Sequence, residues 1–247
     1  MRYERSKTTG EARYVPILRI DARSYIQYLT FFRSDSQGET AVELNPGYVP
    51  ARVWLAFYLV FVQGRLDDGI AHAQRAVDLD PLAPLPAIQL GMVLLGADRY
   101  AEAEAPLLRG RALAPEMFSP PHLGLLYNRL GRSQEAIAAL DRAIVTSGRH
   151  PWTLCAQAVC YSTLGQLTDV QAIYDELVAR ARREYVQSSI LALLHASLGR
   201  MDEAFALLER ACKEHDGILV FSKHYPFLPA LQGDPRMQEI FRRVGLS

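Results

Sequence analysis

The residues of this 247-residue chain best suited to chemistry are its three cysteines, its six histidines and a few close-set acids. Cys155 and Cys160 stand five positions apart on one predicted helix, so their side chains diverge around its axis. No histidine pair lies near them in sequence, and both read as small buried hydrophobes. The run Lys213-Glu214-His215-Asp216 offers the groups of a proton relay, but at a helix end it reads as a solvated terminus. Asp67 and Asp68 open another predicted helix, where acids suit the positive end of the dipole. None of the patterns G-x-S-x-G, H-E-x-x-H, G-x-x-x-x-G-K-[ST] or G-x-G-x-x-G is present. The expectation is a protein that is not an enzyme and holds no cofactor and no metal.

The totals narrow the partners. Lys plus Arg and Asp plus Glu are both 27, so no net charge drives the chain toward nucleic acid or an anionic membrane. The first 33 residues are locally basic (Arg2, Arg5, Lys7, Arg13, Arg19, Arg23, Arg33 against Glu4, Glu11, Asp21), which reads as a solvated terminus ahead of a functional arm. Three cysteines without a C-x-x-C pair argue against a disulfide framework and fit a reducing compartment. The start has no continuous apolar signal segment. The longest apolar run, VWLAFYLVFV at 53–62, is too short to span a bilayer. A cytoplasmic chain that binds neither nucleic acid nor membrane is expected.

The elements that must position any site repeat. AVELNP ends at Pro46, AVDLDP at Pro81 and RALAP at Pro115; Ala136, Val170 and Ala204 centre three further similar stretches, 34 apart. Units of 34 starting at Pro50, Pro84, Met117, Pro151 and Tyr185 align small residues. Position 8 is Phe57, Gly91, Gly124, Ala158 and Ala192; position 20 is Gly69, Ala103, Ala136, Val170 and Ala204; position 27 is Ala76, Gly110, Ala143, Leu177 and Ala211. A turn follows position 14 with Gly64, Asp98, Gly131, Gly165 and Gly199. This pattern, over about 170 residues, resembles the tetratricopeptide repeat.

The resemblance implies an all-α, tetratricopeptide-type helix-turn-helix solenoid, a right-handed superhelix. Small residues at 8 and 20 then let the two helices of a unit touch, and those at 27 serve where the second helix meets the next unit. Glycine persists inside helices, at about 1 kcal/mol against alanine, because the gap admits nothing larger. His195, at the aromatic position 11, reads as packed. Phe57 is too large for a tight pair, so the first unit is expected to splay or to pack against something upstream; Val170 and Leu177 predict a looser fourth unit.

Upstream, Tyr25, Tyr28, Leu29 and Phe32 form one apolar stripe on a predicted helix at 22–33. Residues 15–49 read as a degenerate unit behind a loose arm at 1–14; 50–216 hold the five repeats. Residues 217–247 read as a loop and a C-terminal capping helix, with Asp234 as N-cap, Pro235 at the first helical position, and Met237, Ile240, Phe241 and Val244 buried against the last unit. The residues Asp234, Pro235, Arg236, Phe241, Arg243, Gly245 and Leu246 resemble the ending of arrays appended to bacterial winged-helix regulators, nucleotide cyclases and Ser/Thr kinases.

In the family, first helices line a concave groove. The matching residues here include Trp54, Tyr58, Phe61, Ile88, Met92, Phe118, Leu125, Asn128, Arg129 and Trp152, and of all the groove positions only Arg129 is charged. The basic constellation that captures a terminal carboxylate is missing. The resemblance therefore implies a protein or peptide partner, an amphipathic helix or an apolar segment, bound in an apolar groove. Two alternatives stay open: the 22–33 helix fills the groove itself, or the chain is the detached sensory half of a bacterial signalling protein.

Overall fold

The protein is described by a computed structural model over residues 35–115, 121–224 and 229–246. The loose arm at 1–14, the 22–33 helix and Phe118 lie outside the described residues. Helix α1 (Asp35–Leu44) is followed by five helix pairs: α2 (Val49–Phe61) with α3 (Leu66–Leu79), α4 (Pro84–Gly96) with α5 (Tyr100–Leu113), α6 (His122–Arg129) with α7 (Ser133–Thr146), α8 (Pro151–Thr163) with α9 (Leu167–Ala181), and α10 (Ser188–Ser197) with α11 (Met201–Glu214). A 3-10 helix (Gly217–Phe221), α12 (Pro229–Gln232) and α13 (Pro235–Val244) close the described chain. No strand occurs among the described residues; the fold is an all-α helix-turn-helix solenoid.

The repeat punctuates its own helices. Proline stands in the first two positions of α2, α4, α8 and α13, where its missing N–H is harmless and its fixed φ suits the helix. The first helix of each pair ends on a left-handed residue: Gly64, Gly131, Gly165 and Gly199 have φ of 68°, 71°, 72° and 76°. In the second unit Asp98 takes the same region at φ 57° and accepts a hydrogen bond from the Tyr100 hydroxyl. The turn then closes the same way in four units, as Arg99, Arg132, Gln166 and Arg200 donate backbone N–H to carbonyls of Leu94, Tyr127, Tyr161 and His195 at 2.8–2.9 Å.

Packing explains the small positions. A Cβ on Gly124 would lie 2.3 Å from Cγ of Leu140 on α7, and one on Gly91 would lie 2.4 Å from Cγ of Leu107 and 3.2 Å from the Ala103 carbonyl on α5. Ala136, Ala103, Ala158, Ala192 and Ala204 are fully buried. Two expectations need correction. The first unit does not splay: Phe57 is buried at position 8, and at position 20 Gly69 sits so close to the first helix that a Cβ there would lie 2.5 Å from Cγ2 of Val60 and 2.8 Å from the Ala56 carbonyl. At position 27, the nearest neighbours of Gly110 among the described residues are Ile88 and Pro84 of its own first helix, at 2.5 Å and 3.3 Å from a built Cβ. The fourth unit is the looser one, since α8 and α9 share the smallest contact of the five helix pairs among the described residues, and Val170 and Leu177 are fully buried.

The first helices are buried nearly all round, as in α4 from Gln89 to Gly96 and α8 from Thr153 to Cys160. The second helices bury one stripe, such as Ala103, Leu107 and Gly110 on α5. At the end of the array, Asp234 caps α13 by accepting from the Arg236 N–H at 2.9 Å, and Met237, Ile240 and Phe241 are buried. Arg236 crosses to α11, with an ion pair to Asp202 at 2.7 Å and its guanidinium 4.0 Å from the centre of the Phe205 ring. The last unit thereby loses its exposed apolar face.

Candidate binding surface

The residues predicted to line the groove separate into three groups. Phe61, Met92 and Leu125 are buried, at 0%, 9% and 1% exposure. Phe61 is an inter-unit contact, its ring 2.7 Å from where a Cβ of Gly96 on α4 would stand. Ile88 turns toward Gly110 of α5 and serves the helix pair. Trp54, Tyr58, Asn128, Arg129 and Trp152 are half-buried and remain at the surface in part. Trp54 meets Phe57 edge-on at 6.3 Å between ring centres, and Trp152 packs against the core beside the N-cap His150, whose ring accepts from its backbone N–H at 3.2 Å.

Polar groups at the ends of the first helices link neighbouring units. Asn128 donates to the Thr163 hydroxyl at 3.2 Å, and the Ser162 hydroxyl donates to the Ser197 carbonyl at 2.8 Å. Asn128, expected to give partner specificity, is thus also an internal rung. Arg129 beside it encloses its Nε without a hydrogen-bond acceptor among the described residues, a cation held over an apolar layer.

Two positioning devices escaped the sequence reading. The first is an arginine opening the second helices, at 65, 99, 132 and 200, with an acid three residues on. Arg132 grips both oxygens of Glu135 at 2.7 and 2.6 Å and reaches Glu104 of the preceding unit at 2.7 Å, while Arg65 reaches Asp68 and Glu39 at 2.8 and 3.1 Å. These bonds hold the Glu135 and Glu104 carboxyls below the usual carboxylate range. The R-x-x-[DE] spacing is visible in the sequence, but the partner on the preceding unit is not. The second device corrects the reading of the Lys213–Asp216 run. Asp216 is buried, not solvated: it accepts from the Ser189 N–H (3.0 Å) and hydroxyl (2.6 Å), Gln187 Nε2 (3.1 Å) and the Ile218 N–H (3.0 Å). One carboxylate therefore caps the 3-10 helix and pins the start of α10. Beside it the Ser188 hydroxyl donates to Glu214 at 2.6 Å.

The remaining chemistry candidates are enclosed. Burial raises the Cys155 thiol far above its ordinary range and pushes Cys160 up to about 12, which leaves both as inert thiols. His195 stacks edge-on against Tyr174 at 4.9 Å, and burial lowers its pKa. Among the described residues no group of three or more His, Cys, Asp or Glu is placed to hold a metal ion, and no helix is long and apolar enough to cross a membrane.

Such an arrangement, an apolar layer of first helices laced to amphipathic second helices, defines a helical-repeat solenoid. Tetratricopeptide-repeat models match residues 55–117 and 122–144. No curated protein matches the chain in sequence. Solved structures share the fold. PilW, a type IV pilus biogenesis factor, superposes with a TM-score of 0.60 at 17% identity, covering 89% of this chain and 94% of that one. TTC0263, a thermophilic tetratricopeptide protein of Thermus thermophilus, gives 0.56 at 21% identity over 70% and 95%. Pseudomonas aeruginosa PilF gives 0.53 at 17% over 81% and 91%. At these identities the likeness is one of fold alone.

Proposed function

We propose that the chain is a non-enzymatic protein-interaction module that takes an amphipathic helix or an apolar segment of a partner protein along its inner face. The observation that carries this reading is the run of apolar first helices within an array of tetratricopeptide repeats, bordered by half-buried Trp54, Tyr58 and Trp152. Large aromatics with part of their surface still in water supply contact area at small entropic cost and are the residue types on which binding energy concentrates. Phe61 and Leu125 act beneath them as the floor, since neither reaches solvent. Asn128 and Arg129, whose Nε has no hydrogen-bond acceptor among the described residues, give the middle of the surface its polarity, which favours a partner segment bearing a carbonyl or carboxylate there. Phe118 joins this proposed surface on sequence grounds.

The test is Trp54→Ala combined with Trp152→Ala. Proteins retained by the intact chain from a lysate are expected to be lost with the double variant while its circular dichroism is unchanged, and the affinity for the purified partner is expected to drop about tenfold or more. Equal affinity in a titration refutes the site.

A further inference from the structure

The segment after the last unit does not stay with that unit. From the Asp216 anchor the chain runs through the 3-10 helix, whose Leu219 is buried, to Ser222, which is also buried. Lys223 is then tied to the end of the chain, its Nζ donating to the Leu246 carbonyl at 2.9 Å. His224 sits against the opposite end of the array. Its ring Nε2 and Cε1 lie 3.6 and 3.9 Å from where a Cβ of Gly64 would stand, and its carbonyl oxygen lies 3.1 Å from the Cβ site of Gly96. Gly64 ends the first helix of the first unit, and Gly96 ends that of the second. At Gly64 a Cβ would just touch the ring and any longer side chain would reach it, while Gly96 lies close to both the Phe61 ring and the His224 carbonyl. The comparison with Gly131, Gly165 and Gly199 is direct: these hold the turn position of Gly64 in later units, and among the described residues no heavy atom comes within 4 Å of a Cβ built on them.

We infer that His224, at the tip of the segment that leaves the last unit at Ser222, is an internal latch seated on the ends of the first helices of the first two units, and that a partner segment lies there only after the latch has been lifted out. The inference rests on the proposed binding along the inner face. The occupant is this chain's own segment, held at one end by Asp216 and at the other by the Lys223–Leu246 bond, so it competes at high effective concentration. Seating costs little beyond the order already imposed by those two anchors. Partner affinity is reduced by the fraction of time the latch is closed.

The experiment needs no partner, so it fails or succeeds apart from the Trp54/Trp152 test. Gly64→Asn puts a side chain tolerant of the left-handed region where the His224 ring stands; Gly131→Asn makes the same change in the same turn, facing open space. Both are followed by tryptic cleavage after Lys223, read by mass spectrometry as release of residues 224–247, and by binding of 8-anilinonaphthalene-1-sulfonate to uncovered apolar surface. Gly64→Asn is expected to speed cleavage about tenfold and to raise dye fluorescence, with Gly131→Asn leaving both at the wild-type level. His224→Gly removes the ring without touching the turn and is expected to match Gly64→Asn. Equal rates in Gly64→Asn and Gly131→Asn, or a His224→Gly variant that cleaves like wild type, overturn the latch.

Discussion

Gly124→Ala isolates the packing argument in one methyl group. The new Cβ would lie 2.3, 2.7 and 2.8 Å from Cγ, Cδ1 and Cδ2 of Leu140, where unstrained carbon contacts are about 3.5–4.0 Å. Leu140 is fully buried, so its isobutyl group has no solvent-side rotamer to retreat into. Overpacking of this kind costs about 1–3 kcal/mol, and replacing a helical glycine by alanine returns about 1 kcal/mol. With Cγ and both terminal methyls closer than 3 Å, the net loss is expected to be about 1–2 kcal/mol. Leu140→Ala alone removes a buried side chain and costs about 2–5 kcal/mol. In the double variant the added methyl enters the space that Leu140 vacates, so the two losses are expected to fall short of their sum by about 2 kcal/mol. Urea denaturation followed by circular dichroism measures all three. A control is Gly131→Ala, whose φ of 71° costs about 1–2 kcal/mol by backbone strain while no atom lies within 4 Å of the added Cβ. It should show no coupling to Leu140→Ala. Additive behaviour of Gly124→Ala with Leu140→Ala, or a Gly124→Ala variant more stable than wild type, would refute the claim that this glycine exists for helix contact.

Other consequences are as concrete. Asp216→Ala strips the Ser189 N–H and hydroxyl of their acceptor and should destabilise the fifth unit by about 2–3 kcal/mol, seen as faster hydrogen exchange in α10 than in α4. Ile240→Ala, a buried cap residue at 2% exposure, should cost about 2–5 kcal/mol and raise dye binding by the last unit. His122 gives a pH signature. Burial holds it at a pKa of about 3 against 6.5 for the free side chain. Between those values the unfolded chain takes up the proton and the folded chain does not, so this histidine's contribution is complete above pH 6.5 and is lost as pH falls. The loss is about 2 kcal/mol at pH 5. His122→Gln should flatten that part of the stability profile in thermal melts at pH 5 and pH 7; an unchanged slope would show that His122 titrates normally.

The repeat was legible because its cause is local. A helix pair that must touch needs small residues one turn-length apart on each helix, a left-handed residue at the turn and proline near the start. All three recur in one dimension at Gly91, Gly124 and Ala136, at Gly64 and Gly131, and at Pro84 and Pro151. The cap was legible for the same reason, since Asp234 and Pro235 act on their own helix. What the linear order left hidden involves partners from different units. Phe57 looked too large for its pair, yet it is buried while Gly69 lets the second helix close on Ala56 and Val60, and Ile88 looked like groove lining until Gly110 drew it toward α5. Asp216 looked solvated because nothing in its neighbourhood along the chain announces that Ser189 will be brought against it. The same holds for the binding surface. Residue types along the first helices marked it as apolar, but the curvature that carries His224 back to Gly64 decides how much of it is open, and curvature is a sum over contacts between units that no single stretch of sequence contains.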